Sequence, residues 1–257
     1  MTTTITAFYR FAPVEDPAAW AEELRTAAAA AGILGTILVA GEGVNGTIAG
    51  PAEGVAAILT RIEARPGFAD LPRRISHHDT PPFGKMLVKV KPEIVTLGMP
   101  LVGPTGTYVA PKDWDALLAR PGMVVVDTRN GFEYGEGHFT NAIDPATASF
   151  RDFPAWAEAH LRPEQPVAMY CTGGIRCEKA TALLKAKGFR EVYHLQGGIL
   201  AYLEQTGNQS GAWQGHCFVF DERGTVDAAL GAAPAQCREP IVSVAMDQES
   251  QGTAPAP

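Results

Sequence analysis

The chain has 257 residues, 46% of them hydrophobic, which is room for two domains with real cores and excludes wholesale disorder. Lys and Arg number 21 against 28 Asp and Glu, a formal charge of -7, so a protein coated in basic patches is excluded and the balance argues against a nucleic-acid partner. Four cysteines (Cys171, Cys177, Cys217 and Cys237) are too few for a disulfide scaffold. The start, MTTTITAFYRF, has no charged segment followed by an apolar one, and no run reaches the roughly 18 apolar residues that cross a bilayer. A cytoplasmic protein with no membrane partner is expected.

In chain order, Ile5 to Phe11 is β-branched and aromatic and reads as a strand. Asp16-Pro17 supplies a cap and a first-turn proline for a helix over Ala18 to Ala31, stopped by Gly32. Thr36 to Ala40 and Thr47 to Ala49 are short apolar runs, and a second helix runs from Pro51 to Arg65. After an irregular basic stretch, Met86 to Val90 and Ile94 to Leu97 read as strands. This β-α-β-β-α-β order predicts a ferredoxin-like, acylphosphatase-like α/β sandwich over residues 1–97.

Residues 98–112 are rich in Gly, Pro and Thr and read as a linker. Over 113–206, strands at Met123 to Asp127, Val167 to Tyr170 and Glu191 to Leu195 alternate with helices at Asp113 to Leu118, Phe153 to His160, Cys177 to Lys187 and Ile199 to Glu204. That alternation predicts an open parallel α/β sheet, with its site at the carboxyl ends of the strands. Residues 207–257 read as a mostly flexible extension, with one hairpin across Cys217 to Val226.

Two segments carry chemistry. Gly41-Glu-Gly-Val-Asn-Gly46 matches a glycine-rich dinucleotide pattern, but it leads into strand-like Thr47-Ile48-Ala49 instead of a helix; Asn45-Gly46 is read as a hairpin turn. Tyr170-Cys171-Thr172-Gly173-Gly174-Ile175-Arg176-Cys177 lies between a buried strand and a helix. Gly173 and Gly174 let backbone N–H groups turn inward as an anion nest, and Arg176 and the helix dipole add positive potential. Together these favour Cys171 as a thiolate, the reactive form. A merely structural buried cysteine would need neither the Gly-Gly pair nor the closing arginine.

The upstream run Val126-Asp127-Thr-Arg129-Asn-Gly-Phe-Glu133-Tyr134-Gly-Glu-Gly137-His138, the Cys171–Arg176 loop and Gln196-Gly197-Gly198-Ile199 resemble the signatures of rhodanese domains. The resemblance implies a rhodanese-like open sheet whose loop cysteine carries oxidised sulfur, with Asp127 and Arg129 as structural support. Four residues between Cys171 and Arg176 suit sulfur; related phosphatases have one more. Over residues 1 to 227, AGEGVNGTIAG, PPFGKMLVKVKPEIVTLG, YCTGGIRCEKA and WQGHCFVFDERGTV occur in the order seen in rhodanese-like tRNA uridine hydroxylases. That resemblance implies oxygen-dependent hydroxylation of the wobble uridine of tRNA to 5-hydroxyuridine, with Cys171 catalytic and molecular oxygen as co-substrate; no haem, flavin or iron motif is evident in the sequence. Cys177, a second thiol, either resolves an oxidised Cys171 or simply packs. The alternative is a sulfurtransferase working through a Cys171 persulfide.

Cys217 and Cys237 lack the paired spacing of a zinc site, and His138, His194 and His216 stand in no ligand spacing, so no metal is expected. Residues 61–91 hold seven basic residues against three acidic ones, locally reversing the global charge. Arg73, Arg74, Lys85, Lys89 and Lys91, with His77, His78 and Phe83 beside them, are the candidate tRNA contacts. A solvated charged surface accounts for them equally well.

Overall fold

The computed structural model describes residues 2–101 and 103–235. The N-terminal unit contains β1 (Thr3–Phe11), α1 (Pro17–Ala30), β2 (Leu34–Ala40), β3 (Gly43–Gly50), α2 (Ala52–Glu63), β4 (Arg73–His78) and β5 (Met86–Val90). Its five-stranded sheet has the order β4-β1-β3-β2-β5. Both helices cover one face, where Trp20, Leu24, Ile58 and Ile62 pack against Phe8, Ile37, Val44 and Ile48. Asp16 caps α1, its Oδ1 accepting from Ala19 N at 2.9 Å.

Three details differ from the sequence reading. The closing strand of the βαββαβ unit is β4, within the basic stretch read as irregular. It is an edge strand alternating exposed and half-buried residues, so it needs no apolar run. The other two differences concern Ile94–Leu97 and Asn45-Gly46. Ile94 and Leu97 are buried but form no strand: Ile94 N donates to Glu42, and Leu97 N and Gly98 N donate to Glu93. The β2–β3 turn is Gly41-Glu42, because Ala40 pairs with Gly43, whereas Asn45 and Gly46 lie inside β3. A Cβ at Gly46 would stand 2.9 Å from Phe8 Cζ and 2.8 Å from Thr36 O, so this glycine serves close packing and not a turn.

The second unit comprises β6 (Thr107–Val109), α3 (Pro111–Leu118), β7 (Val124–Asp127), α4 (Gly131–Glu136), β8 (Gly137–Phe139), α5 (Phe153–His160), β9 (Val167–Tyr170), α6 (Ile175–Ala186), β10 (Val192–Leu195) and α7 (Gly198–Thr206). β6, which lies in the Gly/Pro/Thr-rich stretch, is the edge of a parallel sheet ordered β6-β10-β9-β7. α3 and α7 pack on one face and α5 and α6 on the other. Strands buried on both faces explain the apolar runs Val124–Val126 and Val167–Tyr170.

Beyond Gly207, β11 (Trp213–Gly215) pairs with β8, and β12 (Cys217–Phe218), β13 (Thr225–Val226) and β14 (Ala232–Ala233) form a small antiparallel sheet. The hairpin expected across Cys217 to Val226 is therefore present. Cys237 and the rest of the tail lie outside the described residues. No helix among the described residues is long and apolar enough to cross a membrane.

Candidate active site

Cys171 follows the last residue of β9, at the carboxyl edge of the parallel sheet beside Asp127 at the end of β7. The chain turns through Thr172, Gly173 and Gly174 into α6, and Gly174 takes φ +102°, a left-handed conformation that glycine tolerates. Gly174 N donates to Cys171 Sγ at 3.1 Å. The Gly197-Gly198 pair holds the loop from behind: Ile199 N and Leu200 N donate to the carbonyls of Cys171 and Thr172 at 3.0 and 3.1 Å. A Cβ on Gly198 would stand 2.4 Å from Cys171 O, and its φ is +66°, so only glycine fits there. Cys171, Gly174 and Arg176 are buried, whereas Thr172, Gly173 and Ile175 are partly exposed and form the accessible rim.

The electrostatics favour a thiolate. Burial alone would raise the Cys171 thiol, but a hydrogen bond with the Cys177 thiol, the charge of Arg176 and the amides of Cys177 and Arg176 outweigh it. They bring its pKa from the ordinary 9.0 down to about 6. Cys177 is pushed the opposite way, by burial and then by Cys171 itself, so the pair is one thiolate beside one thiol. Thr128 Oγ1 lies 3.5 Å from Cys177 Sγ and fixes it from the other side.

Arg176 acts through its charge, because its hydrogen bonds go elsewhere. Nη1 and Nη2 donate to Glu133 Oε2 and Oε1 at 2.6 and 2.8 Å in a fork. Burial works to raise the Glu133 carboxyl, but Arg176, then Arg129 and the amide of Asn130, hold it below the usual carboxylate range. Asp127 and Arg129 are fully buried and paired at 2.6 Å, and Arg129 also donates to Gly137 O. They brace the β7–α4 connection beneath the loop.

Five residues given no role from the sequence complete the site. Glu133 is one. On α6, Glu178 accepts from Tyr9 OH of β1 at 3.0 Å and from Tyr108 OH of β6 at 2.7 Å. Burial raises the Glu178 carboxyl, the two phenols work against that rise, and Cys171 adds to it. Tyr9 OH lies so close to the loop that a Cβ on Gly174 would meet it at 2.9 Å. Next along α6, buried Lys179 bridges Glu93 at 2.5 Å and Glu42 of the β2–β3 turn at 2.9 Å. The glycine-rich turn thus docks onto the helix that follows the cysteine loop, and the N-terminal unit forms one wall of the site.

The basic candidates do not come together as one patch. β4 and β5 are opposite edges of the sheet, four strand spacings or about 19 Å apart. Arg73 pairs with Glu63 at 3.1 Å, and Arg74 with Glu204 of α7 at 2.7 Å. Arg61 and Arg65 both reach Glu23. Lys85, Lys89 and Lys91 make no ion pair among the described residues. Cys217 is buried, and burial pushes its thiol up to about 12, so it is no second nucleophile.

An open parallel sheet with a cysteine loop at its carboxyl edge, joined to a ferredoxin-like unit, defines a two-domain rhodanese-like protein. Residues 110–205 match a family model described as Rhodanese-like domain, and residues 3–94 match the UPF0176 acylphosphatase like domain. A protein from Caulobacter vibrioides named tRNA uridine(34) hydroxylase is 52% identical over 237 residues, covering 88% of this chain and 75% of that relative. One of the same name from Mesorhizobium japonicum is 49% identical over 249 residues, covering 93% and 80%. The chain belongs to the tRNA uridine(34) hydroxylase family.

Proposed function

We propose that this protein hydroxylates uridine 34 of tRNA at C5, giving 5-hydroxyuridine, with Cys171 as the reacting group and molecular oxygen as the oxidant. The observation that carries the assignment of Cys171 is its setting: a thiol lowered to about 6, held by Gly174 N and the first amides of α6, beneath a partly exposed rim. At neutral pH such a group is a thiolate. Its addition to C6 of uracil forms an S–C6 bond and moves the ring electron pair toward C5, where the oxidant attacks. One oxygen atom of dioxygen ends on C5 and the other leaves as water, with two electrons and two protons supplied by a thiol reductant that becomes a disulfide. Loss of the C5 proton and cleavage of S–C6 then restore the C5–C6 double bond and the thiolate. The hydrogen bond between Cys177 and Cys171 supports a resolving role, in which Cys177 closes a disulfide on an oxidised Cys171.

For the tRNA itself, Lys85, Lys89 and Lys91 are the cations left to meet phosphates, while Arg73 and Arg74 are engaged by Glu63 and Glu204. The test is mass spectrometry of tRNA nucleosides from a strain that lacks this gene and any parallel route to 5-hydroxyuridine. Wild-type complementation restores 5-hydroxyuridine and Cys171→Ala does not. Restoration by Cys171→Ala would overturn the assignment.

A further inference from the structure

Beside the cysteine loop stands a small group of aromatic rings that the chemistry of Cys171 does not use. Phe220, on the turn after β12, is 66% exposed, and Phe132 on α4 is 44% exposed. Both lean edge-on against buried Phe218, with ring centroids 5.1 and 5.2 Å away at 85° and 88°. The Arg176 guanidinium carbon lies 5.9 Å from the Phe220 centroid, which ties the group to the loop itself. Phe218 and Phe220 lie beyond the 110–205 segment that matches the rhodanese-like domain, so they are an addition to that unit. A loop of the N-terminal unit adjoins them: Glu222 N donates to Pro82 O at 3.0 Å, and a Cβ on Gly84 would lie 3.4 Å from Glu222 Oε1. That loop carries Phe83 and the exposed Lys85, which makes no ion pair among the described residues.

Leaving two phenyl rings in water costs free energy that a packed monomer avoids, and such patches mark contact sites. The chemistry around this one, flat rings beside a thiolate loop with exposed Lys85 on the adjoining loop, fits unstacked nucleobases next to a phosphate. We infer that Phe220 and Phe132, propped by Phe218, are a stacking platform for unpaired bases of the anticodon loop adjacent to the reacting uridine, with Lys85 meeting the neighbouring phosphate. This inference rests on the reading that the Cys171 loop acts on tRNA.

The test compares wild type, Phe220→Ala, Phe132→Ala and Phe220→Trp as full chains. Measurements are Kd for an anticodon stem–loop RNA by fluorescence anisotropy, KM and kcat for 5-hydroxyuridine formation, and the alkylation rate of Cys171 as a check on the loop. Phe220 is exposed, so its truncation leaves the fold in place. Phe220→Ala is expected to raise Kd and KM by about tenfold, the effect of losing one base–aromatic stack, with alkylation unchanged. Phe220→Trp is expected to recover binding, and its added indole fluorescence to be quenched by the stem–loop but not by a fully paired duplex. Equal Kd and KM in wild type and Phe220→Ala would overturn the platform while leaving the hydroxylase reading intact. So would concentration-dependent self-association of the wild type that Phe220→Ala abolishes, since the patch would then serve a second copy of the chain. Weakened RNA binding by Phe220→Ala alongside a wild type that forms no 5-hydroxyuridine would support the platform and overturn the hydroxylase reading instead.

Discussion

Tyr9 and Glu178 stand 169 residues apart in the chain, yet the Tyr9 hydroxyl donates to the Glu178 carboxylate at 3.0 Å. One belongs to the first strand of the N-terminal unit and the other to the helix that begins at the cysteine loop. This bond, with the Lys179 bridges to Glu42 and Glu93, joins the two units next to Cys171. Removing the hydroxyl with Tyr9→Phe leaves one oxygen of a buried carboxylate without its donor. A hydrogen bond to a charged group contributes about 1.5–3 kcal/mol, so a loss of that order is expected in urea unfolding, with the m-value unchanged.

Glu178 also repels a Cys171 thiolate, since each raises the charge cost of the other. Glu178→Gln keeps the shape and removes the charge, so the Cys171 pKa should fall. The measurement is the iodoacetamide alkylation rate of Cys171 against pH. A midpoint that moves to lower pH supports the relationship, and one that stays or rises contradicts it.

In the wild type the same profile is expected to have its midpoint at about 6 instead of the ordinary 9.0. The folded value is depressed, so the thiolate dominates above about pH 6 and reactivity falls roughly tenfold per pH unit below it. Cys177→Ala removes the hydrogen bond that stabilises this thiolate, so its midpoint should move upward. If Cys177 resolves an oxidised Cys171, mild oxidation should also yield an intramolecular disulfide in the wild type, seen as a loss of two hydrogens in intact mass, and none in Cys177→Ala.

The fork between Arg176 and Glu133 is buried, so breaking it from one side is costly. Glu133→Ala leaves an unpaired guanidinium under the loop and is expected to destabilise the protein by about 3–5 kcal/mol. A thermal-melt difference too small for that range would show that water or another carboxylate compensates. Gly198→Ala should also be damaging, because its Cβ would meet Cys171 O and its φ is in the left-handed region.

The cysteine loop was legible because its parts are consecutive: thiol, two glycines, arginine and helix start lie within six residues, each with its own chemical reason. The alternation of apolar runs and helices likewise marked the parallel sheet. What stayed hidden depends on pairings between distant segments. Tyr9 looks like any strand aromatic until β1 meets α6. Arg73 and Arg74 look like free cations until Glu63 and Glu204 arrive from elsewhere. β4 has no apolar stripe because an edge strand can leave its side chains in water. Asn45-Gly46 imitated a turn because glycine serves both positive φ and close backbone packing, and sequence does not separate the two uses.

Oxygen-dependent hydroxylation of uridine 34 by Cys171 is the reaction proposed for this protein. Its most direct test uses the purified full chain, a thiol reductant, a tRNA with unmodified uridine at the wobble position, and nucleoside mass spectrometry with and without dioxygen. The account predicts 5-hydroxyuridine from the wild type only when dioxygen is present, and none from Cys171→Ala or Cys171→Ser. Formation of 5-hydroxyuridine by either variant would contradict it.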